Sequence, residues 1–555
     1  MARFDRRQRR RRAAWALGLA VAVVVTVLAV VVVVPGAPGS PAPPFVGHRT
    51  RLASRPAVTP ASPASHPAAT YPTARGVGAA WVVAENQRPG TGAWQITGAQ
   101  TATGIMGYAD HVDATSGQVV TLRVSTTAPS FHVEAYRMGY YQALGARLVW
   151  RSAQLPGAVQ AACPVAPGIN MVQCSWLAAL RLTVTDRWVQ GQYLLKLVGS
   201  AGQQSYVPLD VWDPASHAAY VVMTGVLTDQ VFNSFGGYDL YQGATACAAD
   251  EYPCSTRSRV VSFDRPYDNG EESGAGGYLS LCYPLTRLAE RDGLDVTYWS
   301  DITLAEHGNL AVRHHLLISP GHDEEWSQSM RASTVAAAHA GVNLAFLGAS
   351  AVLRKVRLRA SPLGPDRQVV NYRDPTADPL YGVDDTRVSQ NDWAQAPAHM
   401  PASTLVGASY IGYDHTSVKP LVVSNASSWL FAGTSLVDGS TVPGVVAGDI
   451  QAYARSARGN PPGVEILAHS PVDIVGHPDR RFADTTYYTM ASSGAGVFDT
   501  GAIGWIPSLA PCPASTTACP ALVMGALTAN LLRITGSGPA GLRYPSVANW
   551  QQLYR

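Results

Sequence analysis

Hydrophobic and polar positions change their period several times along this chain. Residues 13–34 are all apolar or small apart from Thr26. At about 1.5 Å of rise per residue, such a run crosses a hydrocarbon core of roughly 30 Å. It predicts an N-terminal transmembrane helix over 13–34. From 79 to 213 the pattern alternates instead, as in 118–125, 131–136, 180–184, 193–198 and 206–211. Short alternating runs separated by Gly and Pro turns predict an antiparallel β-sandwich over 76–213. Beyond residue 218 the apolar runs become continuous, at 219–223, 315–318 and 342–347, with a strand-like run at 295–298. Helical spacing lies between them, at 279–291 with a stop at Gly293, and again at 330–340. That β-α-β-α-β order predicts a mostly parallel sheet in an α/β layer domain over 214–535. Runs at 421–423 and 463–467 add strands, 360–400 reads as a long polar insertion, and helix returns near 522–534. The expected fold class is therefore α/β plus all-β behind a membrane helix, with a tail at 536–555.

The ends and the charges refine this picture. Arg3, Arg6, Arg7 and the arginines at 9–12 form a basic tail over 1–12, directly before the apolar run. The positive-inside rule keeps such a tail cytoplasmic and exports the remainder of the chain. The expectation is a single-pass cell-membrane protein with its bulk extracytoplasmic. A cleaved signal peptide is the alternative, but its apolar core usually spans about 7–15 residues. Residues 35–75, rich in Pro, Ala, Ser and Thr, read as a linker too poor in large apolar residues to pack. The net charge is only +3 and no basic stripe lies beyond the tail, which argues against a nucleic-acid partner. Of the seven cysteines, Cys163 and Cys174, Cys247 and Cys254, and Cys512 and Cys519 form close pairs suited to local disulfides. Cys282 is left over, and a lone cysteine is most often a small buried apolar residue.

Chemistry concentrates in the stretch 318–327. An apolar run, a Pro320-Gly321 turn and a helix-like segment place His322, Asp323, Glu324 and Glu325 where a strand ends. Ligands of α/β folds sit at the carboxyl ends of strands. A buried acidic cluster requires a cation, protons or hydrogen bonds to compensate it. A solvated acidic helix start is the plainer alternative.

Several blocks in order carry a family resemblance. They are Glu85-Asn86, the segment 136–141, Trp188, the segments 233–241 and 261–267, Pro320-Gly321-His322-Asp323-Glu324, Phe346-Leu347-Gly348 and the segment 493–498. Over residues 80–510 the chain resembles the large (β) subunit of N,N-dimethylformamidase. The resemblance implies hydrolysis of a small amide by a ferric iron held by two tyrosines and a glutamate. Carried over by motif, Glu324 is the carboxylate ligand, His322 a site residue beside it, and Tyr241 and Tyr283 the phenolates, with Tyr238 and Tyr298 as competitors. Phenolate and carboxylate are hard oxygen donors suited to such an ion. Two departures stand out. Cys282 precedes Tyr283 where the family often has an acid, and Ser350 stands where its active-site asparagine is expected.

Ser350 opens a second reading. The α/β domain also resembles class I glutamine amidotransferases, whose nucleophile follows a strand at a sharp turn. A Ser350 hydrolase would take His322, His469 or His477 as base. A third reading is a membrane-tethered binding or structural protein without catalysis. The expected partners are the membrane and a small amide; self-association stays open.

Overall fold

The computed structural model describes residues 70–96, 104–244, 253–455, 459–512 and 519–554. Strands β1 (Ile105–Ala109), β2 (Val119–Thr126), β3 (Ser130–Met138), β4 (Ala146–Arg151), β5 (Leu180–Thr183), β6 (Gly191–Gly199) and β7 (Gln204–Val211) come first. They form two sheets, ordered β5-β2-β1 and β7-β6-β3-β4. The apolar halves of their alternating patterns meet in one core, including Val120, Leu122 and Val124 from one sheet and Val133, Leu195 and Leu209 from the other.

A mixed sheet comes next within the same unit, 65–555. Its members are β8 (Tyr220–Thr224), β9 (Val296–Ser300), β10 (Leu316–Ser319), β12 (Asn343–Phe346), β17 (Glu465–Pro471), β18 (Phe482–Thr489) and β19 (Gly496–Asp499). The order is β9-β8-β10-β12-β19-β18-β17; the first five strands run parallel and the last two close one edge antiparallel. Helices α1 (Val226–Phe232), α2 (Tyr283–Arg291), α3 (Asp301–His307), α4 (Gln328–His339) and α5 (Ala521–Thr535) accompany it. The helical run expected over 279–291 breaks at Cys282. Pro284 is the cause: it sits in the first turn of α2 and has no N–H to continue the preceding turn.

Chain order along this sheet reverses beside β8. The chain passes from β8 to β9 on one side and then to β10 on the other. Such a switch point opens a crevice at the carboxyl ends of the strands. Around it lie the short strand β11 (Glu325–Ser327), the hairpin β13 (Arg354–Ser361) and β14 (Gly364–Val370), and the long hairpin β15 (Ser409–Val422) and β16 (Thr441–Ala452).

Two expectations are corrected. The described chain is mostly β in several sheets and is not an α/β layer protein led by a membrane helix. After β12 it builds hairpins and an antiparallel sheet edge in place of further β-α units, and its longest described helix, α5, has 15 residues. No helix among the described residues is long and apolar enough to cross a membrane. The run at 13–34 and the tail at 1–12 lie outside the described residues. The described residues accordingly give no support to the single-pass anchor, the membrane as a partner or the extracytoplasmic placement. Disulfides join Cys163 to Cys174 and Cys512 to Cys519, Cys282 is free and buried, and Cys247 lies outside the described residues.

Candidate functional site

The acidic stretch sends its side chains to separate partners. Asp323 accepts a hydrogen bond from Ser319 Oγ at 2.7 Å. Glu325 accepts one from Thr228 Oγ1 at 2.9 Å, and the same oxygen receives the Glu324 backbone N–H at 2.8 Å. Thr228 belongs to α1, so the helix after β8 pins the loop after β10. Burial pushes the Asp323 carboxyl up to about 7 and holds Glu325 well above the usual range. These two acids are compensated by protons and hydroxyls.

Glu324 is compensated differently. Its Oε1 lies 2.8 Å from Arg354 Nε, and its Oε2 accepts the Tyr241 hydroxyl at 2.5 Å. Arg354 opens β13, where pairing of β11 with β13 brings it beside Glu325. Asn391 takes hydrogen bonds from Arg354 and Arg373, and the Arg373 guanidinium lies 4.1 Å from the Tyr241 ring centre. Burial and the Glu324 charge hold the Tyr241 phenol well above its usual pKa, so it stays protonated and donating.

The loops after β10 and β12 approach so closely that a Cβ on Gly348 would meet Gly321 O at 1.9 Å. Only glycine fits there. The contact sets His322 beside Ala349 and brings Ser350 to the same crevice. Ser350 is fully buried with φ +58°, a left-handed conformation that costs a serine energy. Its hydroxyl donates to Asp449 Oδ2, from β16. His322 Nε2 lies 3.5 Å from that Asp449 oxygen and 3.8 Å from Glu324 Oε2. Neither distance is a well-formed hydrogen bond, so a buried ring nitrogen stands open between two carboxylates. Burial opposes charge on this imidazole, but Asp449 and then Glu324 outweigh it and raise its pKa to about 9. Burial likewise opposes charge on Asp449, and His322 and Ser350 more than offset that, lowering its pKa. The Asp449, His322 and Arg354 side chains are 19%, 15% and 12% exposed, against 3% for Glu324.

The structure thus unites Tyr241, His322, Glu324 and Ser350. It separates Tyr283, whose hydroxyl donates to the Gly139 and Gly145 carbonyls. Tyr298 donates to Glu290, and the Tyr238 carbonyl serves Arg265. His469 is paired with Asp484 instead of Ser350. These positions test the iron expectation. Of the four tyrosines named from the sequence, Tyr241 is the one bonded to Glu324. The ring beside it is Phe232, 4.3 Å from Tyr241 and 5.1 Å from His322. A guanidinium and a phenolic proton already occupy the Glu324 oxygens. Among the described residues no group of three or more His, Cys, Asp or Glu is placed to hold a metal. The expected pair of phenolates from Tyr241 and Tyr283 is not assembled around Glu324, and the metal-binding expectation is corrected to that extent.

Sequence reasoning missed Asp449, Arg354, Arg373 and Thr228. Asp449 carried a readable signal, a charged residue inside the apolar run 445–450. Arg354 and Arg373 lie among other polar residues and carried none.

No functionally curated protein matches this chain. A Paenibacillus sp. cycloisomaltooligosaccharide glucanotransferase complexed with cycloisomaltoheptaose is similar at 11% identity over 35% of this chain and 27% of that one, with a TM-score of 0.14. So low a score carries no argument about fold or activity, and the chain spans about a quarter of that protein. The family model described as "N,N-dimethylformamidase beta subunit-like, C-terminal" matches residues 132–518, which include the switch-point crevice and every residue of the cluster around Glu324. With more than half its length matched in this way, the chain belongs to that family.

Proposed function

We propose that this protein hydrolyses a carbon–nitrogen (amide) bond at the Ser350–Asp449–His322 cluster. Membership of the dimethylformamidase-like family supports amide hydrolysis. One observation carries the finer reading: Ser350 Oγ and His322 Nε2 converge on the same Asp449 oxygen, with the ring nitrogen unsatisfied.

The roles derive from protonation. A histidine with a pKa near 9 is an acid at neutral pH, so it suits the proton-donor role and not the base role. Asp449 is ionised and holds the serine hydroxyl, so it is the group that accepts the proton. Ser350 Oγ attacks the carbonyl carbon as its proton passes to Asp449. His322 Nε2–H hydrogen-bonds the developing oxyanion and then protonates the departing amine. Water cleaves the resulting ester, releasing the acid and restoring the serine hydroxyl, and the proton held by Asp449 passes back to His322 to reset the site. Glu324, clamped by Arg354 and Tyr241, sets the field around the imidazole. The strained backbone of Ser350 accords with a group held in place for chemistry.

The test is amine release from simple primary and N-methylated amides by the parent and by Ser350→Ala. Turnover by the parent, lost in Ser350→Ala at unchanged folding, is the expected result. Equal turnover in both defeats the proposal.

A further inference from the structure

A cavity of about 50 Å³ lies between the sandwich and the central sheet, away from the Ser350 cluster. It has room for about four water-sized atoms. Two of its lining side chains end in polar atoms with no partner: Tyr278 Oη and Gln192 Nε2. Tyr278 is 4% exposed and Gln192 1% exposed, so solvent does not satisfy them. Gln192 Oε1 is already used, accepting from Thr286 Oγ1 at 2.5 Å. Both unsatisfied atoms are therefore donors, and each is costly to leave buried unless something accepts from it.

We propose that this cavity is a second binding site, taking one small neutral carboxamide whose carbonyl oxygen accepts from Tyr278 and Gln192. Asp229 also lines the cavity and offers a carboxyl oxygen to an amide N–H. Val207, Val226 and Phe263 supply an apolar wall for a short alkyl group. A carboxylate guest would face Asp210 and Asp229, and a cation would meet the two open donors, so a neutral guest with one acceptor and one donor fits best. The site is distinct from the catalytic cluster but shares a helix with it. Val226 and Asp229 face the cavity, while Thr228 of the same α1 holds the backbone of Glu324.

Acetamide is the probe. It is titrated into full-length Ser350→Ala protein, which removes the nucleophile, and followed by ligand-observed NMR; crystals of the same protein are soaked in parallel. The expected result is one acetamide between Tyr278 and Gln192, with affinity falling about tenfold in Tyr278→Phe and in Gln192→Met. Tyr278→Phe deletes only an unpaired hydroxyl, so the fold survives it. Water alone in the soaked cavity, or unchanged affinity in both variants, overturns the proposal. Binding that is lost in Asp449→Asn yet indifferent to Tyr278→Phe puts acetamide at the catalytic cluster and overturns the cavity site alone.

Discussion

The molecule holds two buried charge clusters, and they are built to different standards. At the joint with the sandwich, Arg137 of β3 grips Glu290 of α2 through two nitrogens, at 2.9 and 2.5 Å, and both side chains are fully buried. Tyr298 and Asn86 satisfy the remaining Glu290 lone pairs, and Gln190 O takes two more guanidinium donors. Every group there is spoken for. At the crevice, Glu324 is clamped in a similar way, but His322 Nε2 is left between Asp449 and Glu324 without a bond. A saturated network fixes a structure, whereas one with an unsatisfied proton donor keeps a place for a reacting group. The Glu85-Asn86 and 136–141 blocks belong to the first kind, and His322, Ser350 and Asp449 to the second.

The comparison breaks most visibly on activity. Ser350→Ala is expected to lower amide turnover by about 10⁴-fold, equivalent to about 5.5 kcal/mol, with unfolding unchanged; steady-state amine release and a thermal melt check it. Arg137→Met is expected to do the reverse. It leaves Glu290 charged and unpaired in the interior, so stability falls by about 3–5 kcal/mol in urea unfolding, while the double change with Glu290→Leu recovers most of that loss.

A pH series sharpens the contrast next. The folded pKa of His322 is raised, so its stabilisation is complete below its unfolded pKa of about 6.5 and drains away as pH rises through about 9. The full contribution is at most about 3 kcal/mol. His322→Gln should flatten that slope in denaturant melts from pH 6 to 10. A slope that persists in His322→Gln assigns it to another group. Asp449 has the opposite sign: its folded pKa is lowered, and its contribution is lost as pH falls below the usual carboxylate range. The smallest change is expected from Tyr241→Phe, which removes one hydrogen bond to a carboxylate still held by Arg354. A loss of about 1–2 kcal/mol in stability and under about tenfold in rate is expected. Complete inactivation by Tyr241→Phe would favour a direct chemical role for the phenol.

Much of this arrangement was legible along the chain, and the failures have physical causes. The strand-turn pattern at 316–322 and 343–350 marked His322, Glu324 and Ser350, because local apolar runs ending in glycine reveal strand ends. Tyr241 came from its motif. Tyr283 misled because its neighbourhood looks like a site: it opens a helix beside Glu290, but that acid serves the Arg137 joint. Asp449 comes from a hairpin 99 residues beyond Ser350, and no local period signals that pairing. The β15–β16 hairpin was itself hard to see, since its strands carry glycines and charges where alternation would be read. The run at 13–34 matches a membrane span by length and apolarity but lies outside the described residues, whose longest helix, α5, has 15 residues.

The most direct measurement of the account is intact-mass analysis of the protein after brief exposure to an activated acyl ester, with peptide mapping of any adduct. The account requires one acyl group on Ser350, formed slowly or not at all in Asp449→Asn. Amide turnover that proceeds without any adduct on Ser350, and survives Ser350→Ala, would contradict it.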